Sequence, residues 1–313
     1  MANRPSSQQS LLDNSSKIMR RNHLAVGLLP LLLCFFGTAE ARGLLDLLGP
    51  SSYVKAERRS GSLSRDQALA LYSAKQQRPS FDACTDQFPS SKPLNAKDLV
   101  PAALKPLALC SDNFAVLYSQ TTKTPLVVIE RLSAEQLDRA KGIPRTDQFF
   151  PDPRIPESGR AELSDYRAAA RDPFKKQRGH QAPAADSPTH NAMAQTFSLS
   201  NMIPQDAINN EQAWNKVESD VRKYVRRADG NVFVFTGPIF DTNHQTIGEN
   251  KVWVPNRLFK LVYDETSHRS WAYILPNAET KVERPVDYAT FVQQTGLHLL
   301  RDLPVSGSVR SSK

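Results

Sequence analysis

Cysteine, glycine and long apolar runs are all scarce in this chain. Of its 313 residues, 3 are cysteine and 13 are glycine, against 22 proline. No second cluster of Cys and His accompanies the cysteines, so nothing supports a zinc site. The excess of proline over glycine predicts many irregular connections. The apolar run from Leu24 to Phe36 is too short to span a bilayer comfortably, and no candidate transmembrane span follows it.

The composition is that of a globular protein with a basic surface. Hydrophobic residues make up 40% of the chain and charged residues 23%, enough for the core of one large domain or two small ones. The net charge of +8 and the pI near 9.4 favour an anionic partner. A solvated surface explains the charge equally well, so the charge alone does not identify that partner.

The N-terminus has the order of a targeting segment. A basic stretch that ends at Arg21 precedes the apolar run, and an Ala-x-Ala cleavage pattern that ends at Ala41 follows it. This order predicts a signal peptide over residues 1–41, export from a bacterium, and a periplasmic or secreted protein without stable membrane association after cleavage. Met1 and Met19 are alternative starts.

Cleavage after Ala41 would leave Cys84 and Cys110 as the remaining cysteines. An even pair in an exported chain favours a disulfide over a metal site or a nucleophile. Closing a loop of this size contributes roughly 3–4 kcal/mol when the bond is unstrained.

Three segments follow the predicted signal peptide. Residues 42–80 are predicted to be an N-terminal appendage or linker that contains a helical turn capped by Ser64. Residues 81–305 are predicted to form one compact domain, and residues 306–313 a disordered tail. No internal repeat is visible.

The pattern within the predicted domain mixes strands and helices. Two β-rich runs, 114–119 and 125–130, flank a polar segment and predict a hairpin. Residues 146–190 lack periodicity and predict long loops. Further elements are predicted at Val232–Thr236, Lys251–Val254, Leu258–Tyr263 and Ser270–Leu275 as strands, and at Val286–Thr295 as a helix that Gly296 ends. Without βαβ regularity, the order indicates an α+β domain.

One motif carries most of the functional information. Gln177 to Ala185 spell Gln-Arg-Gly-His-Gln-Ala-Pro-Ala-Ala, and Ser200 to Gln205 spell Ser-Asn-Met-Ile-Pro-Gln. Asn209-Asn210 and a helical segment follow in the same order. This series resembles the signature of the ββα-metal family of DNA/RNA non-specific endonucleases. With a Thr-Gly-Pro strand at 236–238, the resemblance covers roughly residues 81–304.

The resemblance implies a fold, an activity and a set of site residues. The fold would have a central antiparallel sheet with flanking helices and long loops. The activity would be Mg²⁺-dependent hydrolysis of DNA and RNA, with Mn²⁺ as the alternative ion and no preference for the sugar. His180 would be the general base, because imidazole titrates near neutrality. The other implied site residues are Asn210 as the metal ligand, Glu218, Arg178 and Arg222 at water and phosphate, and Asn201 in support.

Each of these assignments has a simpler alternative. At about 100° per residue, Asn210 falls near the middle of the apolar face that Trp214 and Val217 define. An amide there either binds something or caps the helix, since Asn is a favoured N-cap. Glu218 and Arg222 could be an (i, i+4) surface pair worth a few tenths of a kcal/mol.

The motif departs from the family pattern at one position. The family usually has Asp before Arg-Gly-His, and this chain has Gln177. Asp172 and Asp186 are candidates to compensate, and Arg131 is a weaker candidate for a phosphate contact. The departure supports an alternative function, a catalytically weakened nucleic-acid-binding protein on the same fold. Neither a recognition helix nor a base-stacking array is evident, so base specificity is not expected. The sequence does not determine whether the protein forms a homodimer.

Overall fold

The computed structural model describes residues 62–169 and 176–306. The predicted signal peptide and residues 307–313 of the predicted tail lie outside the described residues. Every described residue belongs to one compact unit of the chain. In the described part, no helix has the length and apolar character that a membrane span requires.

The described residues form strands and short helices without regular alternation. The strands are β1 (Pro106–Cys110), β2 (Ala115–Ser119), β3 (Thr124–Leu132), β4 (Lys176–His180), β5 (Met202–Asp206), β6 (Val232–Ile239), β7 (Gln245–Ile247), β8 (Val252–Val254), β9 (Arg257–Asp264) and β10 (Ser270–Pro276). The α-helices are α1 (Arg65–Ala70), α2 (Ala96–Leu99), α3 (Ala134–Arg139), α4 (Leu163–Ala169), α5 (His190–Gln195), α6 (Asn215–Val225) and α7 (Tyr288–Thr295).

A six-stranded antiparallel sheet is the centre of the fold, in the order β1-β2-β3-β6-β9-β10. The expected α+β class with a central antiparallel sheet is therefore confirmed. The hairpin predicted between 114–119 and 125–130 is β2 and β3, which pair antiparallel. The later predicted strands and the final helix are present as well, and Gly296 ends α7 in a left-handed conformation.

Both faces of this sheet are covered by packed side chains. Successive side chains of β6 point to opposite faces and pack in two different clusters. Phe233 and Phe235 pack in a core that includes the disulfide and Phe291 of α7. Val232 and Val234 point to the opposite face and pack against α6. The helix α6 thus lies across one face of the sheet, where it carries functional side chains.

The predicted disulfide is present between Cys84 and Cys110, whose Cα atoms are 5.6 Å apart. It joins the segment before the sheet to the end of β1. The helical turn predicted after Ser64 is also present, because Ser64 and Gln67 form a reciprocal capping box at the start of α1.

The structure differs from the sequence prediction between residues 146 and 206. The predicted loop region contains α4 and the strand β4, and the motif segment after Asn201 forms the strand β5. These two strands pair with each other in a separate two-stranded sheet. Pro204 argued against a strand here, because proline has no backbone N–H to donate and is confined to strand positions that need no such hydrogen bond.

Candidate active site

The Arg-Gly-His motif forms the strand β4, and its glycine is required by the neighbouring strand. Gly179 pairs with Ile203 of β5. A Cβ atom at position 179 would collide with the side chain of Gln205, including its Oε1 and Cβ atoms. Only glycine therefore fits here, which fixes how Arg178 and His180 leave the strand.

A cleft of about 650 Å³ opens beside β4 and gathers most of the residues expected from the sequence. Its lining includes Arg178, His180, Asn210, Glu218 and Arg222. Asn201 does not line the cleft. The remaining expected pair, Cys84 and Cys110, lies in the core behind the sheet.

His180 sits against an aromatic wall in this cleft. The centroid of its ring lies 5.0 Å from that of Phe197, nearly perpendicular to it, and 5.8 Å from that of Phe149. Its Nε2 atom is inaccessible to solvent and has no hydrogen-bond partner. Burial, reinforced by the positive charges of Arg145 and Arg178, lowers the pKa of His180 to about 3. The imidazole is therefore neutral throughout the neutral pH range.

Two arginines are held close to His180 by the same aromatic rings. The guanidinium carbon of Arg178 lies 3.8 Å from the centroid of the Phe149 ring. That of Arg145 lies 4.9 Å from the centroid of Phe197. Cation–π contacts of this kind position the cations without neutralising them. Both arginines line the cleft, and Arg145 is also paired with Asp147 at 2.5 Å, so Arg178 is the less compensated of the two.

Asn201 holds the loop that follows His180. Its Oδ1 accepts a hydrogen bond from the backbone N–H of Ala182 (2.9 Å), and its Nδ2 donates to the carbonyls of Ala182 and Thr196 (3.0 Å each). The side chain is fully buried. Every polar atom of its amide is thus used to fix the backbone behind the imidazole.

A π-helical turn, Asn209–Trp214, precedes α6 and determines where Asn210 lies. Asn209 is fully buried, and its amide donates to the carbonyls of Pro276 and Ala278. Asn210 is only partly buried and lines the cleft. The prediction that Asn210 occupies the middle of the apolar face is wrong, because the wider turn breaks the 100° spacing. Asn210 caps nothing: Asp206 accepts the N–H of Asn209 instead.

Gln177 takes the place of the usual Asp and makes two contacts. Its Oε1 accepts a hydrogen bond from Nδ2 of Asn210 at 2.9 Å. Its Nε2 donates to Oε1 of Glu211 at 2.5 Å. With Nδ2 of Asn210 committed to Gln177, the Oδ1 atom is the end of that amide left for another partner.

Glu218 and Arg222 lie one turn apart on α6, but they are not a surface pair. Their side chains are 15% and 16% exposed, and the nearest charged atoms are 3.9 Å apart. Arg222 approaches Asp186 more closely, at 3.2 Å. Burial raises the pKa of Glu218 to about 7, against the opposing effects of Lys260 and Arg222.

A buried ionic network lies beneath these two residues. Lys260 of β9 is buried and donates to Oγ1 of Thr236 at 2.7 Å. Glu130 of β3 is buried as well, with one carboxylate oxygen unpartnered, and its burial raises its pKa well above the usual value. The charges of Glu130, Glu218 and Asp186 favour the charged form of Lys260, although burial lowers its pKa. The sheet thus places the amino group of Lys260 close to the carboxyl groups of Glu218 and Glu130.

The cleft fits a metal ion that takes few protein ligands. Among residues 62–169 and 176–306, no group of three or more His, Cys, Asp or Glu could enclose a metal. Mg²⁺ retains much of its water and accepts one or two protein oxygens together with phosphate oxygens. The free Oδ1 end of Asn210 offers one such oxygen. The donor set is therefore suited to Mg²⁺ and unsuited to zinc.

Several residues of this cleft were not found from the sequence, and some candidates lie elsewhere. Arg145 and Glu211 were missed, because charge was their only signal. Arg131 lies outside the cleft and pairs with Asp86 at 3.2 Å. Of the candidates to compensate for Gln177, Asp186 contacts Arg222, and Asp172 lies outside the described residues.

The chain is similar to several curated mitochondrial nucleases. Human mitochondrial nuclease EXOG is 33% identical over 191 residues, which cover 54% of this chain and 49% of the relative. Human mitochondrial endonuclease G is 34% identical over 192 residues, which cover 57% of this chain and 60% of the relative. The mitochondrial nuclease of Saccharomyces cerevisiae is 33% identical over 225 residues, which cover 62% and 66%. The chain thus spans between about half and two thirds of the length of these curated relatives.

The relatives also correct one expectation. The prediction of bacterial export to the periplasm or the medium is wrong, because relatives such as those above are mitochondrial nucleases. A basic N-terminus with few acidic residues is common to secretory and mitochondrial targeting segments, so its composition did not separate them.

The likeness extends to a solved structure and to the family as a whole. The chain matches EndoG in the crystal structure of the EndoG/EndoGI complex with a TM-score of 0.50 and 27% identity, over 61% of this chain and 84% of that one. The expected ββα-metal fold is thereby confirmed. The model of the DNA/RNA non-specific endonuclease family matches residues 95–306. The chain belongs to the DNA/RNA non-specific endonuclease family.

Proposed function

We propose that this chain is a Mg²⁺-dependent endonuclease that hydrolyses phosphodiester bonds of DNA and RNA without base or sugar preference. The observation that carries the proposal is the neutral imidazole of His180, which shares one cleft with Arg178, Asn210 and Glu218. A neutral imidazole can take a proton, and a phosphate bound by the surrounding cations would offset their charge and raise the pKa of His180 toward the range of an effective base.

His180 is the general base. Its Nε2 atom is enclosed by protein, which leaves Nδ1 as the nitrogen for the cleft. A water beside Nδ1 would lose its proton to the imidazole as its oxygen attacks phosphorus. Asn201 and the Phe197 ring hold the loop and the imidazole in place, so little reorganisation is needed.

The arginines bind the phosphate and stabilise its additional negative charge. Arg178 and Arg145 stand on the aromatic side of the cleft, and Arg222 stands on α6. Guanidinium groups form paired hydrogen bonds with phosphate oxygens, which orients the phosphate. Glu218 accepts hydrogen bonds from water on the floor of the cleft.

Asn210 would hold the metal through Oδ1, and Mn²⁺ could replace Mg²⁺ at a site of this kind. When bound, the ion supplies positive charge to the phosphate and its leaving oxygen. Gln177 positions Asn210 for this role without contributing charge.

The test is cleavage of plasmid DNA and of structureless RNA by the purified protein, with Mg²⁺ and with EDTA. Cleavage of both substrates at many positions, abolished by EDTA and restored by Mg²⁺, supports the proposal. Binding of DNA without cleavage would favour the alternative, a catalytically weakened nucleic-acid-binding protein. Activity that EDTA leaves unchanged would contradict the metal dependence.

The mitochondrial location in the relatives' names supports a mitochondrial setting for this activity. Fractionation of cells that express the full chain would test it. Recovery of the protein outside mitochondria would contradict that setting without affecting the chemistry.

A further inference from the structure

A second groove adjoins the catalytic cleft. It has a volume of about 390 Å³ and is lined by the start of α1, by the segment 151–153 and by the start of α4. Arg167 lines both this groove and the cleft that contains His180. A chain-like ligand in the cleft can therefore continue past Arg167 into the groove.

Positive charge predominates in the groove. Its charged lining residues are Arg65, Arg160, Arg167 and Glu162. Arg160 is compensated, since it contacts Glu162 at 2.8 Å and Glu157 at 3.4 Å. Arg65 and Arg167 are exposed, and neither forms an ion pair within the described part of the chain. Two exposed arginines and one compensated arginine thus line a single groove.

Arg65 stands on a docked element of the N-terminal segment. The carbonyl of Leu71, just after α1, accepts hydrogen bonds from Gln195 (2.6 Å) and Asn191 (3.0 Å). The Tyr72 ring packs against the guanidinium of Arg154, whose carbon lies 3.7 Å from the ring centroid. The buried ion pair of Arg154 with Asp152 anchors this contact. Arg65 is therefore held over the groove, although it precedes the family match that begins at residue 95.

We propose that this groove, which we call the Arg65 groove, binds the sugar–phosphate backbone of a nucleic acid strand that extends beyond the cleft. The proposal rests on the proposed function, because the same strand must occupy the cleft. The described lining contains no aromatic side chain, so the groove contacts charge and does not stack bases. Arginine binds phosphate without regard to sequence, as a non-specific nuclease requires.

Binding of strands of two lengths tests the Arg65 groove. The His180→Ala protein would be titrated, in EDTA and at several salt concentrations, with a fluorescent hexanucleotide and with a strand about four times longer. Arg65→Glu should weaken binding of the long strand severalfold and reduce its salt slope by about 0.7 for each phosphate that the protein no longer neutralises. Binding of the hexanucleotide should not change.

Arg78→Glu is the matched control. Arg78 is exposed, lies in the same N-terminal segment, and is absent from the lining of both clefts. The two variants change the net charge equally, so the difference between them isolates position 65. Glutamate suits the first turn of a helix, and thermal unfolding would confirm that α1 is intact in the Arg65 variant.

Two results would overturn the proposal. In the first, Arg65→Glu and Arg78→Glu weaken binding of the long strand equally. In the second, Arg65→Glu weakens binding of the hexanucleotide as much as binding of the long strand. Failure of the proposed function is seen separately, as wild-type protein that cleaves no strand of either length. The binding comparison still decides the groove in that case, because it uses a protein that does not need to cleave.

Discussion

Gln177 and Asn210 form a hydrogen bond of 2.9 Å in which the amide of Asn210 donates. This bond selects the orientation of the Asn210 side chain, since its nitrogen is committed to Gln177 and its oxygen is left for the cleft. Glu211 in turn accepts from the nitrogen of Gln177 and fixes the orientation of that amide. The replacement of the usual Asp by Gln therefore preserves an acceptor for Asn210. This favours an active enzyme over the weakened alternative.

Gln177→Leu should impair metal binding. It removes the acceptor and leaves Asn210 free to rotate, and removal of such supporting groups costs about 10–100-fold in metal affinity or activity. Gln177→Asn keeps an amide acceptor for Asn210 and a donor for Glu211, and should retain more of the affinity than Gln177→Leu. The measurement is the Mg²⁺ concentration that gives half-maximal cleavage. Gln212→Leu, at an exposed position of the same turn, is the control, and equal effects at 177 and 212 would refute the positioning role.

The pH dependence should reflect the depressed pKa of His180. Its value near 3 arises from burial first, then from Arg145 and Arg178. Arg145→Gln removes one of these charges and should raise the pKa, which NMR titration of the imidazole would measure. Arg139→Gln, distant in an exposed ion pair, should leave it unchanged. A wild-type imidazole that titrates near 6.5 would contradict the buried environment.

The same shift has a consequence for stability. Because the folded pKa lies below the unfolded value of about 6.5, the unfolded state binds the proton more readily. The contribution of His180 to stability is therefore present above pH 6.5 and is lost as the pH falls toward 3. His180→Gln should show a shallower loss of stability over this range in urea unfolding. Parallel pH profiles for both proteins would argue against it.

Lys260→Met should destabilise the fold through the buried network. At about pH 8, above the pKa of Glu218 of about 7, the substitution leaves that buried carboxylate without its nearby cation, and breaking a buried ion pair commonly costs about 3–5 kcal/mol. Lys216→Met, which breaks an exposed pair with Asp220, should cost only about 0.3–0.5 kcal/mol. Chemical denaturation of both variants provides the comparison. Equal and small losses in the free energy of unfolding of both variants would show that Lys260 does not stabilise the buried carboxyl groups.

Reduction of the disulfide should lower stability without altering the cleft. Cys84 and Cys110 are separated by 26 positions, and closing a loop of about this length stabilises by roughly 3–4 kcal/mol. The double variant Cys84→Ser, Cys110→Ser should unfold at lower urea and retain cleavage activity at low temperature. Mass spectrometry of unreduced peptides should find the two linked. Two free thiols in the purified native protein would contradict the pairing.

The sequence predicted the elements whose pattern is local. The alternation of Val and Phe along β6 and the hairpin of β2 and β3 follow from period-2 burial and turn chemistry. Gly179 and His180 were recognisable because a motif marks them. Asn210 was expected at the site, but its position on the apolar face of the helix was predicted wrongly. Residue spacing alone does not indicate the π-helical turn in which it lies.

Long-range contacts account for what the sequence did not predict. Glu211 could not be predicted as a site residue because its partner, Gln177, lies on a different element, and neither segment has a pattern that indicates their contact. Arg145 lies in a segment without periodicity, and only the fold brings its charge to His180. The Arg65 groove depends on the docking of Tyr72 against Arg154, which local propensity does not encode.

The most direct test of the central claim is the cleavage rate of His180→Ala under saturating Mg²⁺. Removal of a general base commonly lowers the rate by about 10²–10⁴-fold, and this loss is expected here with folding and nucleic acid binding intact. His190→Ala, at an exposed position outside the cleft, should cleave at the wild-type rate. Near-normal cleavage by a clean preparation of His180→Ala would contradict the assignment of His180 as the base.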